Sequence, residues 1–206
     1  MQTGLKTAAF LIVCAGATVT ATAAKADCHS DFQSMMAAHL KAGPYHVSSV
    51  GGAKTYNLET IAPSDFHIME YQGKNLDAPT GELIFTSKGG WSRPGNAKWE
   101  PIPDAAVKQA VAGFNGGLAS GFKNASVSSC KDYESPKDLP NGRKATAYYD
   151  FKAEIFDMHQ GNVPAEIGLM KGEDGRPAAM LVRTKRGDET QLITYDANIK
   201  IEPPAP

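Results

Sequence analysis

The sequence predicts an α+β fold, in which two helices lie on one face of a twisted antiparallel sheet. Short segments of alternating apolar and polar residues are separated by glycine and proline turns, as in antiparallel sheets. One amphipathic pattern lies near the start of the chain and another near its middle. The resulting order of helix, strands, helix and long antiparallel meander is typical of α+β domains.

The first predicted helix is Asp27–Lys41, which Gly43 and Pro44 end. Its buried side is expected to be Phe32, Met36, His39 and Leu40. The second helix begins at Asp104, the expected N-cap. Its apolar stripe is Val107, Val111, Phe114, Leu118 and Phe122.

Four glycines interrupt that second stripe, at positions 113, 116, 117 and 121. Each interior glycine costs a helix about 1 kcal/mol relative to alanine. The second helix therefore depends on packing against the sheet, and two interpretations stay open: close packing on the sheet, or a mobile lid.

Strands are predicted wherever alternating segments lie between turn residues. These segments are Tyr45–Val50, Lys54–Ile61, Phe66–Tyr71, Glu82–Ser87, Arg143–Phe156, Pro164–Lys171, Ala178–Lys185, Glu189–Tyr195 and a short Ile199–Ile201. The longest segment has one apolar face that combines alanines with large side chains. Its residues are Ala145, Ala147, Tyr149, Phe151, Ala153 and Ile155. The space above the alanines is either filled by the second helix or left as an apolar hollow for a lipophilic ligand.

Both tryptophans of the chain lie in one predicted hairpin. Pro94, Gly95 and Asn96 suit a three-residue turn. That turn places Trp91 directly opposite Trp99 on one sheet face. The two indoles are expected either to form apolar walls near the mouth of a hollow or to plug one end of the sheet.

Residues 1–26 have the features of a secretory signal peptide: an early lysine, a short apolar run and an Ala24-Lys25-Ala26 cleavage site. Residues 27–206 then form a single domain. Removing Lys6 and Lys25 from 21 basic residues leaves 19 against 22 acidic ones, so a basic surface for nucleic acid is not expected. Cys28 and Cys130 remain, and an even count in an oxidising compartment predicts one disulfide.

No sequence pattern indicates catalysis. The chain has no H-E-x-x-H or G-x-S-x-G motif and no phosphate-binding loop, so we predict a protein that is not an enzyme and holds no cofactor. Met35, Met36 and His39, with Met158 and His159, have side chains of the kinds that bind copper. Methionines on a helix are more often packing residues, so no metal is predicted.

The segments TYNLETIAPSDFHIME, ELIFTSKGGW, KWEPIP and TYDANIKIEPP, in this order of elements, resemble periplasmic carriers of the LolA/LolB/LppX type. The resemblance extends over nearly the whole chain after the signal. It implies an open half-barrel with helices on its concave face, in the periplasm of a Gram-negative-type bacterium. It also implies transport of lipids or lipoproteins in the hollow between sheet and helices.

The function expected from this resemblance is non-enzymatic binding of a lipophilic small molecule or an acylated protein, with a transient membrane-protein partner and no nucleic acid. The candidate cavity residues are Phe85, Trp91, Trp99, Phe114, Leu118, Tyr149, Phe151, Ile155 and Leu169. The alternative is a periplasmic sensor or interaction module on the same scaffold with a filled core.

Overall fold

The structure, a computed structural model, describes residues 21–50, 54–61, 65–73, 75–112, 125–157, 161–185 and 187–205. Helix α1 is Ala21–Lys41, and it begins upstream of the predicted cleavage point before Asp27. Helix α2 covers residues 104–112. The strands are β1 Tyr45–Val50, β2 Lys54–Ile61, β3 Asp65–Gln72, β4 Gly81–Thr86, β5 Gly89–Pro94, β6 Glu100–Ile102, β7 Val127–Asp138, β8 Lys144–Asp157, β9 Gly161–Gly172, β10 Pro177–Thr184 and β11 Gly187–Tyr195.

All of these strands belong to one 11-stranded sheet, in the order β6-β5-β4-β3-β2-β1-β11-β10-β9-β8-β7. Every neighbouring pair is antiparallel. Neighbours in the sheet are neighbours in sequence, except where β1 pairs with β11 and joins the two halves of the chain. The short β6 and the long β7 are the two edges.

Strand register shows that both helices lie on the same face of this sheet. Residues directly opposite each other in paired strands project to one face. Following such pairs from Phe85 on β4 through β1 and β11 leads to Met180, Leu169 and Tyr149. Phe85 packs with Val107 of α2, whereas Tyr149 and Leu169 pack with α1. We call this surface the helix face and the opposite one the outer face.

The larger core lies between α1 and strands β8–β10. Phe32 of α1 is fully buried, with its ring centroid 5.1 Å from that of Phe151 and 5.9 Å from that of Tyr149. Met35 and Met36 join them, together with small residues of β8 such as Ala147. Bulk above the β8 alanines thus comes from α1, whereas the sequence left open either filling by the second helix or an apolar hollow.

Covalent and polar bonds hold α1 to the same strands. A disulfide joins Cys28 of α1 to Cys130 of β7, as predicted. Asp31 accepts hydrogen bonds from the Tyr149 hydroxyl and, at 2.6 and 2.8 Å, from Lys171 Nζ. Burial alone would raise the pKa of Asp31, but these bonds and the lysine charge hold that pKa below its ordinary value.

The element predictions fail in four places. Strand β7 was not predicted, because most of its side chains are exposed and it has no apolar period. Ile199–Ile201 is not a strand. Leu40 is 65% exposed and Met35 takes its place in the core. The first turn of α2 begins at the Pro103 carbonyl, which accepts from Val107 N at 3.1 Å, so Asp104 is not the N-cap.

Candidate ligand-binding face

The half of the helix face under α2 is organised in rows that cross strands β1–β5. The first row is buried, and its members are Tyr45, Thr60, Phe66, Phe85 and Gly90. Phe66 and Phe85 stack with ring centroids 4.5 Å apart, and Val107 of α2 covers them. A methyl group on Gly90 would lie 2.7 Å from Val107 Cγ2, so glycine allows α2 to approach the sheet closely.

The next row on the same face is apolar but only partly buried. It consists of Val47, Leu58, Ile68 and Leu83, one residue from each of four adjacent strands. We call these four residues the apolar strip. Because they remain partly accessible on the face that carries the helices, they can contact a lipophilic molecule without unfolding any element.

The apolar strip opens into a cleft of about 260 Å³ at its β3–β5 end. Six lining residues belong to two successive rows of the helix face: Ile68, Leu83 and Ser92, then Glu70, Gly81 and Pro94. Thr80, Glu82 and Arg93 complete the lining. The Thr80 hydroxyl and amide both donate to the Glu70 carbonyl, and Gly95 N donates to the Thr80 carbonyl, so backbone hydrogen bonds fix the rim.

The predicted cavity residues are divided between the two halves of the helix face. Phe85 lies in the buried row beside the apolar strip. Tyr149, Phe151 and Leu169 lie beneath α1, where Phe32 and the α1 methionines pack on them. These three residues are thus separate from the apolar strip, and their role in lining a ligand cavity stays a prediction. Phe114 and Leu118 lie outside the described residues, as does the side chain of Ile155.

The predicted arrangement of the two tryptophans is wrong. Trp91 pairs with Pro101, not with Trp99, because β5 stays paired with β4 as far as Pro94 and the connection to β6 is correspondingly longer. Gly90 is the residue opposite Phe85, so the adjacent Trp91 projects to the outer face. Trp99 lies under the guanidinium of Arg93, which is 4.5 Å from its ring centroid.

An ionic cluster that the sequence did not indicate lies on the outer face of the same strands. The buried Glu82 carboxylate accepts hydrogen bonds from Arg93 Nε and Nη2, and it lies 2.9 Å from His67 Nε2. Glu59 is 3.9 Å from the other ring nitrogen of His67. These groups satisfy one another, which allows a carboxylate to be buried within the sheet.

A second polar group lies where α1 ends. His39 Nδ1 is 2.8 Å from the Tyr195 hydroxyl, and the His39 ring packs against Tyr45. Burial, with a smaller effect from the Arg176 charge, lowers the pKa of His39 to about 4. His39 and the buried Met35 and Met36 thus serve packing, while Met158 and His159 lie outside the described residues.

Across the described ranges, no three His, Cys, Asp or Glu side chains are placed to hold a metal ion. The same ranges contain no helix with the length and apolar character needed to cross a membrane.

The fold is that of an open antiparallel half-barrel with helices on one face. LprF from Mycobacterium bovis shares it, with a TM-score of 0.58 and 10% identity over 88% of this chain and 98% of LprF. So does Mycobacterium tuberculosis lipoprotein LppX, with a TM-score of 0.53 and 9% identity over 86% of this chain and 99% of LppX. At such low identity the likeness shows the fold alone, and at that level it confirms the LolA/LolB/LppX resemblance.

No protein-family model matches this chain, and no curated protein matches it in sequence.

Proposed function

We propose that this protein is a periplasmic, non-enzymatic binder or carrier of a lipophilic ligand, which it holds on the helix face beside α2. The observation that carries the proposal is the apolar strip, a continuous and partly accessible apolar row that leads into a cleft. Two further observations agree with it. The fold is shared with LprF and lipoprotein LppX, and the disulfide fits an oxidising compartment.

Uptake requires no chemical step. Each methylene group that moves from water onto the strip contributes about 0.8 kcal/mol. A hydrocarbon tail gains free energy in proportion to the methylene groups that it buries on the strip, and this gain opposes the cost of association. The partial exposure of Val47, Leu58, Ile68 and Leu83 leaves that area available.

The direct test is native mass spectrometry of protein released gently from the periplasm, followed by titration with a fluorescent fatty acid. We expect a bound lipophile, or uptake of the fluorescent probe by delipidated protein. Protein that is always ligand-free and does not take up the probe would contradict the proposal.

A pair of leucine variants locates the site. Leu83→Gln places an amide on the apolar strip and is expected to weaken probe binding about tenfold, the equivalent of about 1.4 kcal/mol. Leu181→Gln is the matched control, because Leu181 is also partly buried but projects from β10 to the outer face. Equal loss in both variants would show that the probe does not bind on the helix face.

A further inference from the structure

The apolar strip has a defined length, which limits the ligand. Its four residues are contributed by four adjacent strands, β1–β4. Three inter-strand spacings separate its ends, a distance of about 14 Å. A ligand that follows the strip therefore lies across the strands, with one end over β1 and the other in the cleft between β3 and β5.

The strip is also only one side chain wide. On one side is the buried row covered by α2, which includes Phe66 and Phe85. On the other side the same face carries Ser49, Tyr56 and Glu70, which are polar. Successive residues on one face of a strand are about 6.6 Å apart, so the apolar width admits one extended hydrocarbon chain.

Polar groups gather at the cleft end of the strip. Ser92 is the cross-strand neighbour of Leu83, and Thr80 and Glu70 form the adjoining rim. The hydroxyl and carboxylate oxygens there can form hydrogen bonds with a ligand's polar end, whereas the β1 end of the strip offers Val47. This polarity orients an amphiphile with its head in the cleft.

From this geometry, and resting on the proposed function, we infer that the ligand is a single-chain amphiphile whose tail lies on the apolar strip and whose polar head lies at Ser92 and Thr80. A second or third acyl chain in parallel would have to lie on Tyr56 and Glu70 or displace α2. The cleft volume of about 260 Å³ lies just below the range of about 300–1,000 Å³ that is usual for ligand sites.

The test compares two lipids that share one head group and one type of chain but differ in chain number, together with a lipopeptide that has three chains. Delipidated full-length protein is titrated with myristoyl lysophosphatidylcholine, dimyristoyl phosphatidylcholine and a triacylated lipopeptide, each as competitor for a fluorescent fatty acid. We expect the single-chain lipid to bind one per protein and at least about tenfold more tightly than the other two. Equal or tighter binding of a lipid with two or three chains would overturn the inference while leaving the proposed function intact. Failure of all three to displace a bound probe would also overturn the inference, whereas failure of the probe itself to bind would count against the proposed function.

Two variants at adjacent residues of β3 test whether the ligand contacts the apolar strip or the outer face. Ile68→Gln is expected to weaken binding of the single-chain lipid about tenfold or more. Met69→Gln, at the next residue of β3 and also partly buried, projects to the outer face and is expected to leave binding unchanged. Equal effects would overturn the placement. Leu58→Gln provides the same comparison if Ile68→Gln does not fold.

A third variant widens the strip. Glu70→Leu adds an apolar side chain beside Ile68, in the next row of the same face. It is expected to reduce the preference for the single-chain lipid at least about threefold, by improving binding of the two-chain lipid. An unchanged preference in a folded variant would contradict the claim that strip width selects the chain number.

Discussion

The two halves of the helix face differ in how completely the protein fills them. Under α1, large side chains of helix and sheet are almost fully buried, as the 0% and 1% exposures of Phe32 and Phe151 show. Under α2, among the described residues, Phe66, Phe85 and Val107 form a small buried apolar cluster, and the apolar residues packed around it are partly buried. One sheet thus combines a packed anchor with a more open surface beside it.

Polar and covalent bonds follow the same division. The Cys28–Cys130 disulfide and the contact of Asp31 with Lys171 both tie α1 to its strands. The outer-face ion pair between Glu82 and Arg93 joins β4 to β5 within the sheet. The covalent and ionic ties between helix and sheet thus lie in the α1 half, beside an α2 half that keeps accessible apolar area.

The largest expected effect comes from removing the disulfide. Its cysteines are 102 residues apart, and a loop of that length contributes about 4–5 kcal/mol in the chain-entropy model. We expect a Cys28→Ala, Cys130→Ala double variant to lose about that much free energy of unfolding, measured by urea denaturation. The native protein denatured under reducing conditions is the control and should agree. A loss below about 1 kcal/mol would mean that α1 does not need its covalent tie.

Truncations on the two halves should differ in cost. Phe151→Ala is expected to lower the free energy of unfolding by about 3–5 kcal/mol, because it leaves a cavity beside Phe32. Leu83→Ala is expected to cost only about 1 kcal/mol, since its side chain is already partly exposed. Denaturant unfolding of the two variants measures both values. Equal costs would remove the distinction between a filled and an open half.

Acid should weaken the end of α1 through His39. The pKa of His39 is lowered from 6.5 in the unfolded chain to about 4 in the fold. The unfolded chain therefore binds a proton first as the pH falls. Stability due to the neutral imidazole is complete above pH 6.5 and is lost towards pH 4, by about 3 kcal/mol in total.

The measurement is urea unfolding at several values in this pH range. His39→Asn can still hydrogen-bond with the Tyr195 hydroxyl but does not titrate, so it should lack this part of the pH dependence. The same slope in variant and native protein would assign the acid sensitivity to other groups.

A smaller effect is expected where α2 meets the sheet. Gly90→Ala places a methyl group 2.7 Å from Val107 and 3.2 Å from the Phe85 ring. Overpacking of this kind typically costs about 1–3 kcal/mol, and it should move α2 away from β5. Thermal unfolding measures the cost, with Ser92→Ala, two residues along the same face, as the control. A neutral Gly90→Ala would mean that the contact between α2 and the sheet is already loose.

Strands with one wet and one dry face could be predicted from the sequence. The bounds of β1 and β2 agree with prediction, and the dry face of β8 is the one that carries Ala147, Tyr149 and Phe151. Strand β7 lacks this signal, since an edge strand with mostly exposed side chains has no burial to impose alternation.

Long-range pairing limited the prediction of the site. The segments that supply Leu58, Ile68 and Leu83 were predicted as strands, but only their register places these residues in one row. Trp91 projects to the outer face because pairing with β4 decides which residues of β5 face the helices. The turn residues alone do not indicate this pairing. In the same way, Phe32 reaches the β8 alanines through a contact between segments far apart in the chain.

An open sheet has two edge strands with unpaired backbone groups, and the two edges of this sheet differ. At one, β6 has only three residues and includes Pro101. At the other, β7 is long, but its pairing shifts register between Asp132 and Lys137, and its sequence intersperses charges and a proline. Such a border is a poor template for a strand from another molecule. The protein can therefore keep its sheet open and the apolar strip accessible at high local concentration without assembling into fibrils.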